Sequence, residues 1–229
     1  MPEINTQTLP SYEDMVRSGM HFGRKKSIFH PNMRPYIYTM KDTVYIIDLL
    51  KTEQGIKDAI EAMRKVIDAG GLILFIGLTA QSVDPVKQIA EDLKMPYVVN
   101  RWLGGTFTNF KTVASRVKYL EKLEQEKVMG GFDKYTKHER LKKDKEIKKL
   151  KEKFDGVRLL TRVPDMIFVS SVKKSELPIK EAKKGATKVV GIINTDSDPL
   201  KIDYPIPAND NARKSVELII NTIRDALKK

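Results

Sequence analysis

Cations set beside aromatic rings are the chemistry this chain carries most densely. Residues 100–110 read Asn-Arg-Trp-Leu-Gly-Gly-Thr-Phe-Thr-Asn-Phe and hold the single tryptophan. Arg101 offers a planar guanidinium suited to phosphate oxygens, and Trp102 a large ring suited to stacking or to a cation. Gly104-Gly105 lets the chain turn sharply. The same residues also spell a strand-to-helix turn in which Trp102 plugs the core. A second concentration comes earlier, in His21-Phe22-Gly23-Arg24-Lys25-Lys26 followed by His30-Pro31-Asn32-Met33-Arg34-Pro35-Tyr36-Ile37-Tyr38. Arg24, Lys25, Lys26 and Arg34 are interleaved with rings, a pattern that suits phosphates and bases of nucleic acid, although solvated surface is the commoner explanation for any one lysine. Two prolines within five positions exclude a helix interior and predict an extended loop.

Other places invite an enzymatic reading, that of a Rossmann-like protein binding a nucleotide or sugar phosphate. Gly77-Leu78-Thr79-Ala80-Gln81-Ser82 follows a predicted strand and opens a predicted helix, where backbone N–H groups can hold a phosphate. It lacks the Gly-Lys-Ser/Thr ending of a P-loop and two of the three glycines of a dinucleotide fingerprint. Asp48, Asp196 and Asp198 fall at predicted strand ends and could bind magnesium, but Asp196-Ser197-Asp198-Pro199 also reads as a turn and helix start. His21, His30 and His138 have no metal-ligand spacing, and no serine sits in a Gly-x-Ser-x-Gly elbow. No catalytic residue, cofactor or metal is expected.

Bulk properties point the same way. Lys and Arg number 42 against 30 Asp and Glu, a formal net charge of +12. Such a surplus argues for a polyanionic partner, nucleic acid first and an anionic membrane second. No apolar run approaches a bilayer span, and the start of the chain lacks a basic-then-apolar leader, so a soluble intracellular protein is expected. There is no cysteine, which excludes disulfides and thiolate metal sites.

Five apolar runs supply the strands that must position these residues: 44–49, 72–77, 97–99, 166–169 and 189–193. Helices are expected over 10–18, 52–69, 83–93, 175–184 and about 209–227, the last capped by Asn209 or Asp210. Continuous apolar strands alternating with helices predict a parallel sheet covered on both faces. Asp203-Tyr204-Pro205-Ile206-Pro207-Ala208-Asn209-Asp210-Asn211 reads as a rigid turn leading to the helix cap, or as an assembly surface. Between the third and fourth runs the rhythm breaks, because 112–155 is too long for an ordinary crossover. Val113, Val117, Leu120 and Leu123 form one narrow apolar seam, and Ile147, Leu150, Phe154 and Val157 another, with Gly130-Gly131 between them. The segment is therefore expected to fold back as an antiparallel helical hairpin. From Lys111 to Arg158 there are sixteen Lys or Arg against nine Asp or Glu. The expected organisation is one discontinuous α/β domain, 1–110 with 158–229, and an inserted basic hairpin, 111–157.

Several long runs, taken in order, resemble one family. They are His21-Phe22-Gly23, Asn32-Met33-Arg34-Pro35-Tyr36-Ile37, Ile46-Ile47-Asp48-Leu49 with Lys51-Thr52, and Arg101-Trp102-Leu103-Gly104-Gly105 with Thr108-Asn109-Phe110. Pro164-Asp165, Asn194-Thr195-Asp196-Ser197-Asp198-Pro199 and Asp203 to Asp210 continue the match. The chain is similar over nearly its whole length to bacterial ribosomal protein S2 of the small subunit. It departs at Arg24, where the family usually has a second histidine, at Ser170-Ser171-Val172 and at Leu200-Lys201-Ile202. The resemblance implies a flavodoxin-like three-layer α/β/α fold, a five-stranded parallel sheet of order 2-1-3-4-5 and an inserted coiled-coil hairpin. It implies a non-catalytic role in the cytoplasmic ribosome, bound to ribosomal RNA and to neighbouring proteins including the messenger-binding protein S1, with no DNA or membrane partner. On that footing Arg24, Lys25, Lys26, Arg34 and Arg101, with Lys111, Arg116 and Lys118 at the hairpin base, are expected at RNA phosphates. Trp102 belongs to the same RNA-binding set, and with Phe107 it braces the loop. The implied strand order also puts Asp48 and Arg101-Trp102 beside the ligand crevice of such sheets.

Overall fold

The computed structural model describes residues 9–228. A short helix, α1 (Tyr12–Arg17), starts at Ser11, whose hydroxyl accepts from the Asp14 N–H at 3.1 Å. Three strands follow, β1 (Phe22–Lys25), β2 (Ile37–Lys41) and β3 (Val44–Ile47), in an antiparallel sheet of order β1-β3-β2. The two-residue loop joining β2 to β3 is Asp42-Thr43, both at positive φ (46° and 66°), the handedness that tight hairpins need.

Two expectations change here. The stretch expected to be an extended loop holds β1, the start of β2 and two 3₁₀ turns, Lys26–Ile28 and Pro31–Tyr36. Pro31 opens its turn, where no N–H is needed. The run expected to be the first strand of the parallel sheet, 44–49, is instead β3, and β3 pairs only with β1 and β2 among the described residues.

The parallel sheet comprises β4 (Ile73–Ile76), β5 (Tyr97–Val98), β6 (Met166–Val169), β7 (Lys188–Ile193) and β8 (Tyr204–Pro207), in the order β5-β4-β6-β7-β8. Numbered along the chain within that sheet, this is 2-1-3-4-5, the flavodoxin-like order, reached with a different membership. The fifth strand is β8, the segment expected to be a turn. Its prolines are tolerated because β8 is an edge strand. The Pro207 carbonyl accepts from Thr52 Oγ1, so the unpaired side of β8 is met by a helix rather than by water.

Alternation divides the core. Ile73, Phe75, Met166, Phe168, Val190 and Ile192 point to one face and are sealed by α2 (Leu49–Asp68), α3 (Val83–Asp92) and α7 (Arg213–Leu227). Leu74, Ile76, Ile167, Val169, Val189 and Ile193 point to the other. That face is sealed by α6 (Glu176–Lys184), by Trp102 and Phe107, and by the base of a hairpin made from α4 (Phe110–Val128) and α5 (Lys137–Phe154). Phe75 and Phe168, wholly buried with rings 5.8 Å apart, each contribute roughly 2–3 kcal/mol by leaving water.

The hairpin's seam is Val117, Leu120 and Leu123 against Ile147 and Phe154, as the two apolar periodicities require. At its far end Thr136 and Glu139 form a reciprocal capping box, and Lys143 Nζ lies 5.0 Å and 4.2 Å from the rings of Phe132 and Tyr135. The last helix begins at Arg213, four residues later than expected. Asn209 Oδ1 accepts from the N–H groups of Asn211 and Ala212, while Asp210 turns inward.

Candidate nucleic-acid interface

Beyond the carboxyl end of β5 the chain runs through the Arg-Trp-Leu-Gly-Gly loop before α4 begins. One buried carboxylate holds that loop. Glu181, on the inward side of α6 and 6% exposed, accepts from Trp102 Nε1 at 3.1 Å and from the N–H of Gly105 at 2.9 Å through Oε1. Its Oε2 accepts from the Phe107 N–H at 3.1 Å. Burial alone pushes the Glu181 carboxyl up. The donated hydrogen bonds of Gly105, Phe107, Trp102 and Thr108 outweigh that and hold it below the usual carboxylate range. Gly105 sits at φ +89°, a backbone conformation open to glycine at little cost. Trp102 is 6% exposed and meets Phe107 edge to face at 5.1 Å. Buried in this way, the Trp102 ring packs inside the loop, while Arg101 beside it is exposed.

The crevice of such a sheet lies where strand order reverses, here between β4 and β6. It is therefore flanked by Gly77 and by Ser170-Ser171, and Asp48 is elsewhere, capping α2 by accepting from the Leu50 N–H at 2.9 Å. Asp210, 2% exposed, closes the carboxyl end of the sheet. It accepts from Ser171 Oγ at 2.6 Å, from Asn194 Nδ2 at 2.9 Å and from the Arg24 guanidinium at 3.1 Å. Arg24 also lies 3.7 Å from Asp196, and its backbone N–H donates to Thr195 Oγ1. Its cation is thus shared between two carboxylates, and Arg24 pins the N-terminal segment over the sheet's end. Gln81 Nε2 donates to the Asp210 carbonyl, and Ser82 Oγ to that of Thr79. The side chains of Gln81 and Ser82 in the loop after β4 are thus bonded to the protein itself.

Asp198 is drawn below the usual carboxylate range chiefly by the side-chain amide of Asn32, and it caps the short turn 199–201. Among the described residues no group of three His, Cys, Asp or Glu could hold a metal ion.

The remaining cations face outward. Lys25, Lys26, Arg34, Arg101, Lys111, Arg116 and Lys118 are exposed, and none forms a carboxylate ion pair among the described residues. They do not form one cluster on one element. Lys25, Lys26 and Arg34 belong to the antiparallel sheet and its 3₁₀ turns, Arg101 to the loop after β5. On α4, Lys111 and Lys118 are seven residues apart and share a side, while Arg116 lies about 140° round the helix from Lys111.

Comparison with known proteins decides the family. The family model described as Ribosomal protein S2 matches residues 15–229. The chain belongs to the ribosomal protein S2 family. It is 40% identical over 220 residues to a small ribosomal subunit protein uS2 from Roseiflexus castenholzii, covering 96% of this chain and 84% of that one. A uS2 protein from Fusobacterium nucleatum is 41% identical over 218 residues (95% and 88% of the two chains), and one from Rhodopirellula baltica 37% over 215 residues (94% and 83%). The family is that of a structural protein of the small ribosomal subunit, not of an enzyme. No described helix is long and apolar enough to cross a membrane.

For an S2-family chain, the residues that sequence reasoning missed are those that fix its loops. Glu181 leaves one signal, an acid on the same helical side as Pro178 and Ala182. Asp210 leaves less, because Asn-Asp-Asn before a helix reads most simply as a cap.

Proposed function

We propose that this chain is a non-catalytic component that binds small-subunit ribosomal RNA, contacts neighbouring ribosomal proteins, supports subunit assembly and takes part in recruiting the messenger-binding protein S1. The observation that carries the RNA reading is the set of exposed, unpaired cations at Lys25, Lys26, Arg34, Arg101, Lys111, Arg116 and Lys118, on a chain of formal net charge +12. Each phosphate they neutralise releases counterions, so affinity depends steeply on salt. Protein partners are supported by a second surface, where Tyr12, Val16, Tyr38 and Leu50 are 47%, 52%, 75% and 64% exposed around one hollow. Apolar groups of that size gathered on one surface suit a protein neighbour better than a phosphate.

A binding series on small-subunit RNA tests the reading. Lys25→Glu with Lys26→Glu is expected to weaken binding and flatten its salt dependence at unchanged Tm, whereas Arg24→Gln lowers Tm. Affinity indifferent to salt, or a chain that fails to sediment with small subunits, would sink it. For the finer claim, Tyr38→Asp with Leu50→Asp should release S1 from particles while leaving RNA affinity intact.

A further inference from the structure

The outward face of α5 carries a regular row of lysines that the site described above does not include. Lys142, Lys145, Lys149 and Lys153 are three, four and four residues apart, which keeps them on one side of the helix. They span about 16 Å at 1.5 Å per residue. All four are exposed, and none forms an ion pair among the described residues. Three other hairpin lysines are neutralised by acids. Lys127 pairs with Asp144 at 2.8 Å, Lys143 with Glu126 at 3.5 Å and Lys151 with Glu124 at 2.9 Å. The row ends in a cleft of about 410 Å³ between the hairpin base and the carboxyl end of β5, lined by Arg101, Lys153, Lys87 and Lys151 and also by Asp84, Glu152 and Asp155. This inside corner is fixed. The Asn100 amide donates to the Glu152 carbonyl at 2.7 Å, and Gly156 packs against the Tyr97 carbonyl with no room for a side chain.

We infer that one RNA strand tracks its sugar-phosphate backbone along Lys142, Lys145, Lys149 and Lys153 and turns into the corner at Arg101. This rests on the RNA-binding reading and names the part of the hairpin that carries it. The choice of RNA over an acidic protein follows from what the row contains. Protein interfaces are depleted in lysine and enriched in aromatic side chains at their centres. This row offers ammonium groups at about one-turn intervals and no aromatic ring among them, which suits a polyphosphate by counterion release and reads no sequence.

Two variants of the full chain, equal in charge removed, test it against small-subunit RNA over a salt series. Lys142→Gln/Lys145→Gln/Lys149→Gln is expected to reduce the slope of log affinity against log salt by about 2 to 3. Lys127→Gln/Lys134→Gln/Lys143→Gln, whose lysines are already paired with carboxylates away from that cleft, should change it by less than about 1. Helical circular dichroism confirms that both hairpins are folded. Equal losses from the two variants overturn the inference, since net charge alone then explains binding. So does an unchanged slope in the first variant, including the case where it binds RNA normally but releases a neighbouring protein from particles. Wild-type protein with no salt-dependent RNA affinity overturns the RNA-binding reading as well, so the two failures are told apart.

Discussion

At the scale of single residues, the loop that carries Arg101 depends on a side chain seventy-odd positions away. Glu181 accepts three hydrogen bonds from that loop in a buried setting, and a carboxylate in such a place is hard to replace. Glu181→Gln keeps the shape but turns one acceptor into a donor facing N–H groups. It should lower stability by about 2 to 3 kcal/mol, a fall in Tm of roughly 5 to 10 °C. Trp102, the single tryptophan, reports the local result: its emission should shift to the red in Glu181→Ala as water reaches the ring. A Tm within about 1 °C of wild type would show that the loop holds itself. The pH dependence has a definite sign. Glu181 is held below its ordinary value of 4.5, and Glu124, whose strongest influence is the hydrogen bonding of Arg158, is lowered to about 2. Carboxylates lowered on folding contribute stability that is present above the unfolded value and is lost as pH falls through the folded one. Acid unfolding should therefore develop between about pH 4.5 and pH 2, and Glu181→Gln should make that fall shallower. The sequence shows Trp102 as either a plug or a platform because residue type sets what a ring can do, not which way it faces. Orientation here was decided by an acid hidden in a lysine-rich helix.

At the scale of elements, periodicity made the hairpin and most helices legible, while sheet membership was not. An apolar run such as 44–49 has the composition of a buried parallel strand, and nothing local says that β3 will pair antiparallel with β1 and β2. The reverse error arose at β8, where Pro205 and Pro207 signal a turn, and only an edge position reconciles them with a strand. The helix against that edge makes the assignment testable. Gly55 lies in the middle of α2, and a Cβ there would come 2.6 Å from the Pro205 carbonyl oxygen. Helix propensity alone says that Gly55→Ala stabilises, by about 1 kcal/mol. Contact with a backbone atom that cannot move aside reverses the sign, and a net loss of about 1 to 2 kcal/mol is expected from denaturant unfolding. A stabilised Gly55→Ala would mean that α2 does not press on β8.

Across the whole molecule, the inserted hairpin is more than an appendage, and this bears on where the expected boundary at 111–157 should be drawn. The sheet's second face has α6 as its own covering helix, and the remainder of its apolar surface is closed by Trp102, Phe107, Val117, Leu120, Phe154 and Val157. Removing 111–157 entire would strip Val117, Leu120, Phe154 and Val157 from the cluster that buries Leu74, Ile76, Ile167 and Val169, whose burial contributes roughly 1.5 to 3 kcal/mol each. Domains of this size have a net stability of about 5 to 15 kcal/mol, so that variant should not fold. Removing only 126–149 and closing the gap with a short glycine turn keeps Val117, Leu120, Leu123, Phe154 and the Glu124 bridge to Arg158 at 2.6 Å. That variant should unfold cooperatively with most of the wild-type stability. It should also lose RNA affinity, because Lys142, Lys145 and Lys149 go with the deleted segment while Lys25, Lys26, Arg34 and Arg101 stay. Calorimetry of the two deletions separates the outcomes. If the complete excision folds as well as the partial one, the sheet needs no help from the hairpin base, and the boundary belongs at 111–157. If neither folds, the distal hairpin, with Phe132, Tyr135 and Lys143 packed at its tip, contributes to the core of the whole chain.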